Sequence, residues 1–187
     1  MLTKTTKAME AVAGKGGGVQ SAPLYGDGPF IRTWSGLRIN VFDPQPDQIC
    51  IEDIAHGLAM RCRFGGHTMS FHSVAEHCVF MCDMVPGHLK LQALLHDASE
   101  AYIGDMPTPI KRQLPDYLML EGTLMTAIGE RFGFDGLNLD PMVKTLDRSS
   151  LEFEWEHKVL DDTVQSLSID RVKALFLQRY NDIVKHY

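Results

Sequence analysis

The stretch LLHDASEAYIGDMPTPIKR, Leu94 to Arg112, decides the fold. With Leu91 just ahead of it, Leu94, Leu95, Ala98 and Tyr102 recur at helical spacing, and Gly104 stops the run. This is the most hydrophobic helix of the chain, yet His96-Asp97 stand in its middle. The DMPTP that follows reads as a loop, because two prolines one residue apart resist helix.

Outward from this segment the same period recurs. Upstream, Ile51, Ile54, Ala55, Leu58, Ala59 and Cys62 fall on one face of a helix ended by Gly65-Gly66. Ser73, with Glu76 three residues on, has the capping-box arrangement. Its helix carries Val74, Cys78, Met81 and Val85 on the apolar side, with His77 in the same stripe. Downstream, Pro115 suits the first position of a helix through about Phe132, closed by Gly133. Asp140-Pro141 repeats the start signal for a helix toward Leu160, and Ser168 caps a last one carrying Val172, Leu175, Phe176, Ile183 and Val184. There is no solenoid repeat and no alternation of strand and helix. The expected fold is an all-α bundle over about 51–187, with a small N-terminal β-hairpin over about 31–42 signalled by β-branched and aromatic residues around Ser35-Gly36.

The chain has 187 residues, 44% apolar and 22% charged, which suits one globular domain over 30–187. Residues 1–29 are rich in Gly and short side chains and are expected to form a flexible arm that gains order by lying across a second subunit. A homodimer or larger assembly follows from that expectation. The net charge of −6 argues against a broad nucleic-acid or anionic-membrane surface. No apolar run approaches the roughly 18–20 residues of a membrane span, and the N-terminus lacks signal-peptide order, so the expected location is the cytoplasm. The four cysteines form no CxxC pattern; Cys78 and Cys82 share a helix face, which leaves a thiolate pair conceivable, but small buried residues are the plainer reading.

Polar residues in core registers are the chemical signal. His77 lies in an apolar stripe, His96 and Asp97 follow Ala93-Leu94-Leu95, and Asp147 falls four after Val143 and four before Leu151. Singly, each is an ordinary hydrogen-bonded or half-exposed residue. Together, from three helices of one bundle, they point to a divalent-metal site, since buried charges occur when paired or metal-bound. Two imidazoles and two carboxylates suit Mn, Fe, Co, Ni or Zn, and four protein ligands leave positions open for water and substrate. Glu100, one turn after His96, and Asp105, just past Gly104, are placed for acid/base work beside such an ion.

HSVAEHC (72–78), LLHDASEAYIGDMPTPIKR (94–112) and VKTLDRSSLEFEWE (143–156) resemble the HD-domain metal-dependent phosphohydrolase superfamily, most closely the group containing the bacterial 5'-deoxynucleotidases. The resemblance runs from about Ile51 to Trp155. It implies one divalent ion (Mn, Co, Zn, Fe, Ni or Mg) on His77, His96, Asp97 and Asp147, with Glu100 and Asp105 orienting and activating the attacking water. It also implies Arg63 on phosphate, Phe64 beside sugar or base, and Thr108 and Lys111 in a phosphate-side loop. The expected activity is hydrolysis of (deoxy)nucleoside 5'-monophosphates to nucleoside and phosphate. The alternatives are a deoxynucleoside triphosphate triphosphohydrolase, for which Arg61, Lys111 and Arg112 would supply cations, and a non-catalytic nucleotide sensor. Two features depart from that group: the 19-residue interval from His77 to His96 is short, and Phe64 stands where a Trp is familiar. His67 and His72 are the other histidines near enough in sequence to approach the site, although His67 suits a loop and His72 a position ahead of the helix cap.

Overall fold

The computed structural model describes residues 28–186. The expected arm over 1–29 therefore lies almost wholly outside the described residues. Phe30–Arg32 (β1) and Arg38–Asn40 (β2) pair antiparallel, with Ile31 opposite Ile39. The turn closes through Thr33 N–H to Leu37 O and Gly36 N–H to Thr33 O, and Gly36 takes the positive φ of +90° that this reversal needs. The strands are shorter than the 31–42 expected, ending at Asn40. Ile39 is fully buried and anchors the hairpin to the helical core.

The body consists of α1 (Ile51–Met60), α2 (Val74–Met84), α3 (Lys90–Leu95), α4 (Glu100–Ile103), α5 (Thr108–Lys111), α6 (Pro115–Phe132), α7 (Pro141–Glu154) and α8 (Ile169–Val184). Ser73 accepts from Glu76 N–H and Ser168 from Arg171 N–H, while Asp140 accepts from Met142 N–H ahead of Pro141. These caps hold the helix starts where the sequence places them. Gly133 ends α6 in the left-handed conformation. α2 lies against α3 and α8, and α1 against α4 and α8. One core joins Ile39, Leu58, Leu94, Leu124 and Phe176; a smaller one joins Met81, Val85, Ala93 and Val143 beneath the candidate site. Apart from Ala93, each of these side chains contributes roughly 1.5–3 kcal/mol by leaving water.

Four expectations about elements need correction. The helix read as continuous from Leu91 to Tyr102 breaks after Leu95: Ala98 N–H bonds Leu95 O, Glu100 N–H bonds Asp97 O and Ala101 N–H bonds Ala98 O, the tighter i to i+3 pattern. The apolar register continues through this tightening, so periodicity cannot reveal it. α1 stops at Met60, and Cys62 instead forms an isolated bridge with Ser73. The loop expected over DMPTP gives way to a helical turn at Thr108, with Pro109 in its first turn, where a missing N–H costs nothing. α7 ends at Glu154, and Trp155–Leu160 widen into a π-helical segment. That widening brings Lys158 inward, where its ammonium donates to Val164 O and Ser166 Oγ.

Candidate metal centre

α2 supplies His77, the end of α3 supplies His96 and Asp97, and α7 supplies Asp147. His77 Nε2 is 3.1 Å from His96 Nε2 and 3.2 Å from Asp147 Oδ1. His96 Nε2 is 3.3 Å from Asp97 Oδ2 and 3.7 Å from Asp147 Oδ1; His77 Nε2 lies 3.8 Å from Asp97 Oδ2. The four residues singled out from the sequence thus come together. Ligand atoms bound at roughly 2.1 Å to one ion stand roughly 3.0–3.4 Å apart in cis-octahedral or tetrahedral arrangement, and the two imidazoles already have that spacing. His77, His96 and Asp147 form a group able to hold a metal ion. A second group, Cys78, His96 and Asp97, overlaps it. There burial pushes the Cys78 thiol up to about 11, which disfavours the thiolate a metal needs.

The acids are less enclosed than their registers suggest. The Asp147 side chain is 46% exposed and that of Asp97 22%, whereas His77 and His96 are buried. The site therefore has a closed imidazole floor and a carboxylate rim that opens to solvent. Burial resists charge on His96, but Asp97 and Asp147 outweigh it and hold its pKa well above the ordinary value. Burial would raise Asp97, but His96, His77 and Arg63 bring it down to about 2.

The backs of both rings are fixed. His96 Nδ1 lies 2.9 Å from Ala93 O, and His77 Nδ1 lies 3.0 Å from Glu154 Oε1. A carbonyl and a carboxylate only accept, so both Nδ1 atoms carry protons and both Nε2 atoms are the ones that face the site. Two ring nitrogens 3.1 Å apart require a proton or a metal cation between them.

Glu154 was not singled out from the sequence. It is 4% exposed, seven residues after Asp147 and on the same face of α7, one tier deeper. Its Oε2 lies 3.0 Å from Arg63 Nη2, and its Oε1 lies 3.3 Å from His72 Nε2. Burial raises its pKa, but His72, His77 and Arg63 hold it well below the usual carboxylate range. The i+7 spacing from Asp147 was the available signal. His72 does precede the Ser73 cap, and it is also wedged between Glu154 and Glu76, 3.4 Å from the latter.

The residues expected to meet substrate divide. Arg63 is enclosed: besides Glu154 it reaches Asp97 Oδ2 at 3.6 Å, and its N–H donates to His72 O. Its expected place on a substrate phosphate is therefore occupied by two protein carboxylates. Phe64 follows at a strained φ of +56°, 5.9 Å from Trp155, and forms half-buried apolar wall. Lys111 Nζ is bound to Glu121 at 2.6 Å and lies 3.9 Å from Glu100, in a helical turn rather than a loop. Thr108 is exposed at the head of the same turn. Glu100 is 4% exposed with Oε2 unpartnered; burial, then Asp97 and Asp105, raise its pKa well above the ordinary value. Asp105 is raised by burial and Asp97 against the pull of Arg63 and Lys111. His67 caps the Arg63–Gly66 turn and is exposed, a loop residue as expected.

No protein-family model matches the chain. Over 82% of its length and 95% of the relative's, it is 36% identical to the uncharacterized protein YfdR of Escherichia coli (strain K12). The chain belongs to the family of YfdR. Over 67% of its length and 70% of the relative's, it is also 39% identical to the uncharacterized protein RCAP_rcc00048 of Rhodobacter capsulatus. No helix among the described residues is long and apolar enough to cross a membrane.

Proposed function

We propose that this chain is an HD-type, metal-dependent phosphohydrolase acting on (deoxy)nucleoside 5'-monophosphates. One observation carries the reading: His77 and His96 face each other through Nε2 atoms 3.1 Å apart, with both Nδ1 atoms committed to acceptors and two carboxylates at the rim. His77, His96, Asp97 and Asp147 would hold the ion. Bound there, a divalent cation would supply Lewis acidity, polarising a phosphoryl oxygen and making water more acidic.

The remaining steps belong to side chains of this chain. Asp105, the less enclosed of the two free acids, takes the proton of the attacking water. Glu100 keeps its proton through burial and its acidic neighbours, and hands it to the 5'-oxygen as the P–O bond breaks. The products are nucleoside and orthophosphate. Lys111, held between Glu100 and Glu121, offsets charge gathering on the phosphoryl oxygens. Arg63 acts as a positioning residue that clamps Asp97 to Glu154.

The triphosphate alternative draws less support, because Arg61, one of the cations it calls for, lines a different cavity. The test is a panel of nucleoside mono- and triphosphates with Mn, Co, Zn and Mg. Orthophosphate released from monophosphates is the expected result. Tripolyphosphate released from triphosphates would select the alternative, and a metal-loaded protein without turnover would select a nucleotide sensor.

A further inference from the structure

α4 is a single turn whose two sides face different places. Glu100 turns toward the metal centre, and Tyr102, about 200° further round, turns away from it. Beyond Tyr102 lies a cavity of about 290 Å³ between the hairpin, α1 and α4, lined by Arg32, Trp34, His56, Gly57, Arg61 and Tyr102. Gly57 brings α1 and α4 into contact here, since a Cβ on it would sit 2.8 Å from Ala101 Cβ.

The charge around this cavity is opposite to that of the chain. Arg32, Arg61 and Lys173 surround it, against the single acid Asp53. Asp53 is used internally, at 2.7 Å from both Ser35 N and Ser35 Oγ and 3.1 Å from Cys50 Sγ. Among the described residues, neither Arg32 nor Arg61 has an acidic partner. An acidic protein thus keeps two uncommitted guanidinium groups beside one cavity, the arrangement that recognises phosphate.

An aromatic platform adjoins them. Trp34 stacks on His56 with centroids 5.0 Å apart and planes 20° apart. Lys173 Nζ is 3.5 Å from the Trp34 centroid and 3.4 Å from His56 Nδ1. One ammonium can be that near both rings only if it lies on the same side of the indole as the imidazole. The opposite indole face is therefore left over, and Trp34 is 60% exposed. The fourth feature is Tyr102, 7% exposed, whose hydroxyl is buried without a hydrogen-bond partner. A buried hydroxyl with no partner is a costly thing to keep, and a ligand oxygen in the cavity would satisfy it.

We propose that this cavity is a second binding site, separate from the metal centre, for a small ligand joining an aromatic ring to phosphate: a nucleoside phosphate. Its phosphate lies between Arg32 and Arg61, a sugar or phosphate oxygen accepts from Tyr102, and its base covers the open face of Trp34. A cavity at the lower end of the roughly 300–1,000 Å³ usual for ligands encloses phosphate and sugar and leaves the base at the rim. Arg61 packs over Gly104, whose Cβ, if present, would come within 3.9 Å of it. Occupancy therefore bears on the segment carrying Glu100 and Asp105.

The test uses tryptophan emission. The chain has two tryptophans, so in a Trp155→Phe variant the signal belongs to Trp34. With EDTA present, ATP should quench it saturably, with half-saturation at least tenfold below that of adenosine; pyrophosphate should compete at least tenfold more weakly than ATP. Arg61→Ala should weaken ATP binding at least tenfold, whereas the exposed Lys144→Ala and the metal-centre variant Asp147→Ala should leave it unchanged. Any of four results would overturn the proposal: no saturable quenching at millimolar ATP, adenosine binding as well as ATP, binding lost in Asp147→Ala, or a single-stranded oligonucleotide binding more tightly than ATP. A chain without hydrolase activity would still bind ATP here, so this site and the proposed catalysis stand or fall separately.

Discussion

Replacing Glu154 by Gln keeps the size and the acceptor oxygen but removes one buried negative charge. That oxygen can still receive His77 Nδ1, now 3.0 Å away, so the ring need not turn. Arg63, 3.0 Å from the other oxygen, loses its nearest counter-charge with side-chain exposures of only 9% and 6%. Breaking a buried pair from one side costs roughly 3–5 kcal/mol. Asp97 remains 3.6 Å from Arg63 and takes up part of that loss, so the expected cost in the metal-free protein is about 2–3 kcal/mol. The weaker acceptor also makes His77 a poorer ligand, and such changes typically lower metal affinity by about 10–100-fold. Urea unfolding in EDTA reads the first effect, with an unchanged slope showing that the unfolded state is not altered. Competition against a chromophoric chelator reads the second. Glu152→Gln, exposed on the same helix, is the control and should stay within about 0.5 kcal/mol of the parent. If Glu154→Gln also stayed within that margin and bound metal within about twofold of the parent, the account of a carboxylate bracing His77 and Arg63 would be wrong.

Three further outcomes are expected. Glu100→Gln should lower turnover by roughly 10²–10⁴-fold while elemental analysis finds the same metal content; loss of the ion would make Glu100 a ligand instead. Stability of the metal-free protein should peak between about pH 4 and about pH 6.5. Asp97 and Glu154 have depressed folded pKa values, so their contribution is present above the ordinary carboxylate range and is lost as pH falls toward 2. His96 and His72 have raised values, so theirs is present below about 6.5 and is lost as pH rises through them. A flat profile from pH 4 to 9 in thermal unfolding with EDTA would contradict this. Gly57→Ala should cost roughly 1–3 kcal/mol by forcing α1 from α4, although Ala is otherwise the better helix former; a stabilised variant would show that the contact yields.

Local chemistry made the helix starts legible. Ser73, Asp140 and Ser168 each do in the structure what an N-cap does, and Gly133 closes α6 as a left-handed glycine must. The hairpin turn was equally open to reading, because Gly36 is where the backbone needs positive φ. What escaped were changes that leave no mark on periodicity. Leu95, Ala98 and Tyr102 stay buried whether the chain between them is regular helix or a tightened turn. Nothing local in Trp155–Leu160 announces a π-helical segment; tertiary demand for Lys158 inside, against Val164, Ser166 and Glu76, accompanies it.

The candidate site shows the same division between what a register states and what it withholds. His77 and His96 were conspicuous because an imidazole interrupts an otherwise apolar face, and both are buried. Asp97 and Asp147 were read from the same kind of register, but they belong to the rim, where exposure is what lets a ligand in. Glu154 carried the same signal as Asp147, an acid seven residues on along one face, and is by far the more buried of the two. Its importance depends on Arg63, which arrives from a turn ninety-one positions away in sequence. No pattern within α7 can display that pairing. Ligand atoms that face a common point can be inferred from helical period alone; the charges that brace them come from other elements, and only the folded chain brings them together.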